Sequence, residues 1–288
     1  MTDHVQSRPN REWLRSAGIY LAMGLLLVYI LLPILWIFIL SVKSPSDIVA
    51  VPPKLLFRPT IKNYSELFGY GASLVGGSDF LAYFKNSLIV SGGAVLFSLI
   101  IGIFAAYALA RFNFKGKENI AFTFLSFRFV PELTIILPLY VIYQKLGLYN
   151  TYFGLILVYQ LVTLPLLVWL LRSYFEELPI NIEHAARTDG YPWFSVFWKI
   201  TLPLAKPGLA ATVILSFILA WNNFIFGLIL GSKSTQPVTV GILSFISSQE
   251  VQWGQMAAGT VVAILPEIIL AFMIQRYLIR GLTFGAVK

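Results

Sequence analysis

The stretch LPINIEHAARTDGYPWFSVFWKITLPLAKPGL, from Leu178 to Leu209, decides how this chain is to be read. It is the longest charged, turn-marked interruption in an otherwise apolar second half. Its punctuation predicts two short helices. Pro179 stops what precedes it, and Asn181 is placed to cap the first helix by accepting from free backbone N–H groups. Glu183 then falls in the first turn, where the helix dipole favours negative charge. Gly190 supplies the left-handed residue that ends a helix, and Pro192 suits the first turn of the next, where its missing N–H is not needed. Trp193, Phe197 and Ile200 share a face of the second helix, with Phe194 and Trp198 beside them, and Pro203 and Pro207 close it. Neither piece approaches the about 20 residues needed to cross a bilayer. A short amphipathic hairpin between two apolar runs has the shape of a docking element for something outside the membrane.

The surrounding sequence supplies the membrane. The chain has 288 residues, 58% hydrophobic and only 12% charged, with a mean hydropathy of +0.78. Soluble domains carry about 25% charged residues, so this surface cannot be covered in water. The apolar runs are long and continuous rather than short and alternating, which predicts an all-α membrane protein and not a barrel. Six spans are predicted, near Ile19–Val42, Asn86–Ala110, Ile120–Tyr143, Phe153–Ser173, Gly208–Leu230 and Ala257–Tyr277. The polar, basic start (Arg8, Arg11, Arg15) leads into a run too long for a secretory signal, so the first span reads as retained.

An even number of spans puts both termini on one side. With the N-terminus inside, 13 basic residues fall on inner segments and 7 on outer ones. That bias predicts cytoplasmic termini and places the Glu183–Gly190 loop in the cytoplasm. It also accounts for the net charge of +8 without nucleic-acid binding. There is no cysteine, hence no disulfide framework.

Polar residues inside the spans are candidates for a transport path. A charge at the centre of a bilayer costs at least about 2.5 kcal/mol unless paired or hydrated. Arg128 and Glu132 stand at i, i+4, a spacing that lets them neutralise each other, with Pro131 and Pro138 as predicted kinks. The pair either lines a water-filled path or is structural. Trp221-Asn222-Asn223 puts two amides in an apolar run, as interhelical glue or as substrate contacts. Glu267 in the last span is protonated, paired or open to a cavity, and the sequence does not choose. Aromatic residues in or near the spans, such as Tyr83, Tyr107, Phe129, Tyr140 and Trp221, are further candidates, though aromatics are common at membrane interfaces in any case.

Several chemistries lack their motifs. With two histidines and no cysteine, a zinc site within the chain is not expected, and no metal ligand is assigned. There is no H-E-x-x-H and no G-x-S-x-G motif. Gly116-Lys117 lacks the upstream glycine of a phosphate loop, because Arg111 stands there. If transport is driven by ATP, the ATPase must be a separate polypeptide.

The string Glu183-His184-Ala185-Ala186-Arg187-Thr188-Asp189-Gly190, followed by Leu202-Pro203 and Pro207-Gly208, resembles the EAA loop of ABC-importer permeases. Lys43-Ser44-Pro45-Ser46-Asp47, Pro52-Pro53-Lys54, Asn63-Tyr64, the Ala106–Arg111 run, Gly281-Leu282-Thr283 and Gly285–Lys288 are similar to segments of the maltose-type branch. One departure stands out: His184 occupies the place of the family Glu, so the acidic contact is shifted to Glu183 or weakened. The resemblance implies a type I permease fold with six transmembrane helices and a cytoplasmic coupling helix.

By that resemblance, residues 1–18 are a cytoplasmic lead and 19–288 the permease domain. An external segment at 43–85, a coupling loop at 176–207 and a cytoplasmic tail at 278–288 subdivide it. Glu183, His184, Ala185, Ala186, Asp189 and Gly190 are implied as the ATPase contact. Arg128, Glu132, Tyr140, Trp221, Asn222 and Asn223 are candidates for the path of a sugar-like substrate. The implied partners are a second homologous permease, two ATPase subunits that hold ATP and Mg, an extracytoplasmic binding protein and lipid of the bacterial inner membrane. No cofactor and no catalytic residue is expected in this chain. An ion-gradient transporter using Glu132 or Glu267, or an intramembrane enzyme, remains as the alternative reading of the residues alone.

Overall fold

The computed structural model describes residues 10–70, 79–247 and 251–285. The expected N-terminal lead, the external segment and the C-terminal tail each lie partly outside the described residues, at 1–9, 71–78 and 286–288. In chain order the helices are α1 (Asn10–Ser41), α2 (Pro45–Ile48), α3 (Lys62–Leu67), α4 (Phe80–Arg111), α5 (Lys117–Ser126) and α6 (Glu132–Lys145). Then come α7 (Tyr152–Val158), α8 (Gln160–Glu177), α9 (Ile180–Thr188), α10 (Trp193–Val196), α11 (Leu202–Leu204) and α12 (Lys206–Trp221). Finally there are α13 (Ile225–Leu230), α14 (Val238–Gly241) and α15 (Trp253–Gly285). The last of these runs on through Gly281 into the stretch expected as the tail.

Among the described residues, α1, α4 and α15 contain stretches long and apolar enough to cross a membrane unaided. Three bent pairs pass the same test together, which gives up to six spans if each pair counts as one. The predicted third span is sharply broken: the helices on either side of Pro131 meet at 93°. Pro131 disfavours helical backbone at Val130, which is extended (ψ 118), so the chain turns there. Pro138, predicted as a second kink, stays inside α6. The fourth span bends by 47° at Tyr159 and the fifth enters with a 75° bend at Ala205. The predicted fifth span also stops early, because α12 ends at Trp221 and α13 restarts at Ile225.

The centre of the bundle is α4, packed against α7, α8, α12 and α14. Close approach is possible because small residues face the contact: a Cβ on Gly102 would run into Leu164 and Leu167. Gly208 does the same at the start of α12, where the ring of Tyr174 fills the space a side chain would need. The Pro207-Gly208 element therefore has a packing reason. By contrast, α1 packs on α15 and is exposed along nearly all its length, as expected of a helix facing lipid.

After α1 the chain is tied down by its own polar groups. The Lys43 side chain is buried, donating to the Lys54 carbonyl (2.7 Å) and lying over the rings of Trp36 and Phe57. Asn63 donates to the carbonyls of Ser41 and Lys43, both at 2.8 Å, satisfying groups left open at the end of α1. Lys54 pairs with Asp47 at 2.8 Å and, with Ser44, holds that carboxyl below the usual carboxylate range. Lys43, Asp47, Lys54 and Asn63, read from sequence as outer-surface features, are thus spent on a local clamp.

Candidate functional site

Two sites emerge from the packing. The first is built on α9. Its N-terminus follows Pro179, and Asn181 caps nothing, because the helix already begins at Ile180. The C-terminus is as expected. Gly190 has φ 91, its N–H reaches the Arg187 carbonyl (3.1 Å), and the Tyr191 N–H reaches that of Ala186 (3.1 Å). These two bonds form a Schellman stop.

The inner face of α9 is fixed by an ion pair that the sequence did not reveal. Arg111 Nε, at the end of α4, donates to Glu183 Oε1 at 2.8 Å, and Tyr107 OH donates to Oε2 at 2.9 Å. Arg111 Nη2 also donates to the Leu178 carbonyl (3.0 Å). The Arg111 and Glu183 side chains are only 5% and 3% exposed. Ala186 is buried beside them. The Glu183 carboxylate is therefore turned into the bundle and is not an outward acidic contact shifted by one position. His184, Ala185, Asp189 and Gly190 are exposed.

Beyond α9 the chain does not form an isolated hairpin arm. A π-helical segment, Phe197–Thr201, joins α10 to α11, and Pro203 sits inside the continuing helix instead of closing it. Phe197 is buried against Tyr107, Phe104 and Phe175. Trp193, Phe194 and Trp198 stay half-exposed or exposed.

The second site is a cavity of about 530 Å³ at the bend between α5 and α6, lined by Arg128, Glu132, Leu139, Leu219, Phe226 and neighbouring apolar side chains. Arg128 and Glu132 form no ion pair among the described residues. The helical spacing that would join them is lost where the chain leaves the helix at Val130 and Pro131. Glu132 Oε1 instead accepts from Asn223 Nδ2 at 2.8 Å. Asn223 Oδ1 accepts from the Phe226 N–H (3.3 Å), in the first turn of α13. Asn222, the exposed neighbour, donates to Glu267 Oε1 at 2.6 Å. Glu267 thus has an amide partner on a neighbouring element.

Two expected path residues lie elsewhere. Trp221 is 2% exposed, donates to the Ala263 carbonyl (3.1 Å) and packs on Phe84 and Phe217, so it belongs to the core. Tyr140 is absent from the cavity wall, accepts from Gln144 (3.0 Å) and meets Tyr149 edge-on. Tyr107, an aromatic candidate, is taken by Glu183.

Residues 98–284, which contain both sites, match the family described as binding-protein-dependent transport system inner membrane component. The chain belongs to this family. It is 34% identical to the inner membrane ABC transporter permease protein YcjP of Escherichia coli over 97% of this chain and 99% of that one. It is 35% identical to the trehalose transport system permease protein SugB of Mycobacterium tuberculosis, covering 95% and 98% of the two chains. A solved bacterial ABC transporter involved in import of the acidic polysaccharide alginate contains a chain that superposes with a TM-score of 0.75. That chain is 24% identical, with 94% of this chain and 98% of that one covered. This likeness shows the fold, that of a type I ABC-importer permease.

The protein is thus an inner-membrane permease, a transport subunit. The ion-gradient and intramembrane-enzyme alternatives fall away with this membership. Arg111 and Tyr107 are the residues that sequence reasoning missed in the first site. Their signal was present in the Ala106–Arg111 run that ends α4, a tyrosine and an arginine one helical turn apart.

Proposed function

We propose that this permease subunit moves a sugar or sugar derivative by alternating access, and that α9 is the coupling helix through which separate ATPase subunits drive it. The observation that carries the proposal is the two-sidedness of α9: one face locked to α4 through Arg111, Glu183 and Tyr107, the other exposed. In this mechanism, closure of an ATPase dimer moves α9. The buried ion pair passes the displacement to α4, and the continuous α10–α11 segment passes it to α12. Both lead back to the cavity, α4 only through α8, which supplies Leu161 and Val162 to its wall, and α12 through Leu219 and the Asn223–Glu132 bond at its end. ATP and Mg belong to the partner subunits, and no cofactor is assigned to this chain. A second homologous permease closes the path, and an extracytoplasmic binding protein delivers the substrate.

The sugar class is supported by relatives named for trehalose, for trehalose and maltose, and for arabinooligosaccharides. A cavity with apolar walls and a few polar groups suits a ring with hydroxyls. We assign Arg128 and Glu132 to its polar wall, with Asn223 behind it as the donor that holds Glu132. The distribution of basic residues supports a cytoplasmic location for both termini and the 176–207 loop. The test is reconstitution with the partner subunits. Replacing Asp189 or Gly190 should leave ATP hydrolysis and abolish uptake. Uptake that persists without any ATPase subunit overturns the proposal.

A further inference from the structure

The geometry points to an electropositive coupling surface: we infer that α9 docks into a groove of its ATPase partner that is acidic, or at least rich in hydrogen-bond acceptors, where His184 enters. This inference rests on the coupling role proposed above. Helical periodicity puts Asn181, His184, Ala185 and Thr188 opposite the buried pair Glu183 and Ala186. That outward face carries no carboxylate. The single acid of the first turns, Glu183, is withdrawn into the bundle and neutralised by Arg111. Its position cannot answer a basic groove.

The surroundings reinforce the sign. Arg187 lies over the Trp193 ring (5.0 Å) and Lys199 near that of Tyr191 (5.6 Å), so both cations are held beside α9. Lys206 is exposed where α12 begins. Trp193 in turn touches Phe112, which brings the turn carrying Lys115 and Lys117 next to the same surface. Against these stand exposed Asp189 at the far end of α9 and Glu177 at the end of α8. Glu176 and Glu118 share the single Arg172 (both 2.7 Å) and add one net negative charge, against the five cations Arg187, Lys199, Lys206, Lys115 and Lys117. Positive charge therefore exceeds negative on the exposed cytoplasmic face. A groove of like sign would be repelled, and one of opposite sign would dock faster and hold better.

The experiment uses the whole transporter, purified with its own ATPase subunits, and measures ATPase retention on the permease across a salt series. Wild type should lose the ATPase subunits as salt rises. His184→Glu and Lys199→Glu should each weaken retention by about tenfold at low salt, while His184→Gln behaves as wild type. His184 is exposed, and an unchanged melting temperature of the permease alone shows that the fold is kept. Equal or tighter retention with His184→Glu means a basic groove and overturns the inference while leaving the coupling role intact. Absence of ATPase subunits from the wild-type complex at every salt concentration overturns the coupling role itself. If the charge reversals act only in vesicles containing anionic lipid, and vanish in purely zwitterionic ones, the cations serve the membrane and the inference is wrong.

Discussion

Removing Arg111 is the sharpest test of how α9 is held. The guanidinium gives two bonds, one to Glu183 at 2.8 Å and one to the Leu178 carbonyl at 3.0 Å, from a side chain only 5% exposed. Arg111→Ala leaves the Glu183 carboxylate in the same enclosed place with only the Tyr107 hydroxyl as donor. Breaking a buried pair by deleting one partner costs roughly 3–5 kcal/mol, mostly the penalty of an uncompensated charge. The chain has a cheaper response than bearing that cost, which is to release α9 so that Glu183 reaches water. The expected result is local opening, read as amide exchange across Ile180–Thr188 accelerated about 150-fold or more. Exchange in the middle of α4 should be unchanged. Glu183→Gln should have a smaller effect, because a neutral amide costs less to bury unpaired. The double change Arg111→Met with Glu183→Leu should restore most of the protection, since apolar side chains of similar volume replace such pairs with little loss. Unaltered exchange in Arg111→Ala would refute the reasoning, because the pair would then contribute nothing to anchoring α9.

Four other perturbations follow from single contacts. Asn223→Leu removes the donor to Glu132 and should cost about 1–3 kcal/mol in detergent melting, with Glu132→Gln in the same background recovering part of it. Gly190→Val forces a β-branched side chain to φ 91, at roughly 1–2 kcal/mol or more, and should fray the end of α9 in amide exchange. Gly208→Ala drives a methyl group into the Tyr174 ring and should lower the melting temperature, and Tyr174→Ala in the same chain should restore it. Asp47 is held below its ordinary value of 3.8 by Lys54 and Ser44, so its contribution is present above that pH and is lost as pH falls through the lowered value. Proteolysis of the 43–67 segment should accelerate only in strong acid.

How much of this was legible beforehand depended on the range of the interaction. The Schellman stop at Gly190 was readable because a glycine after a helical run needs only local backbone geometry. The three unbroken spans were readable because apolar length is a property of consecutive residues, while the bends that divide the other three predicted spans were not. The Arg128–Glu132 pair was misread for a reason just as local: the i, i+4 spacing presumes an unbroken helix, and Pro131 removes it. Glu183 and Arg111 are 72 residues apart, and Asn223 and Glu132 are 91 apart, so no periodicity carries either partnership. Trp221 shows the converse difficulty. A tryptophan beside two asparagines has the composition of a sugar site, and only packing on Phe84 and Phe217 reveals it as core.

The two sites share a physical logic. Each puts a carboxylate from one element against a donor on another: Glu183 of α9 on Arg111 of α4, and Glu132 of α6 on Asn223 at the end of α12. Apolar packing alone leaves helices free to slide, because hydrocarbon contacts are nondirectional. A hydrogen-bonded carboxylate fixes both distance and angle, so a displacement of one helix is handed to its partner instead of dissipating in side-chain motion. The break at Asn222 and Asn223 lets one point of the chain answer to two helices, since the adjacent amides reach Glu267 of α15 and Glu132 of α6. Under the coupling role proposed above, bonds of this kind belong where force enters and where the cavity opens. Simultaneous loss of both amide bonds, Asn222→Leu with Asn223→Leu, should therefore reduce uptake at unchanged ATPase retention, whereas loss of the Arg111 pair should impair retention first.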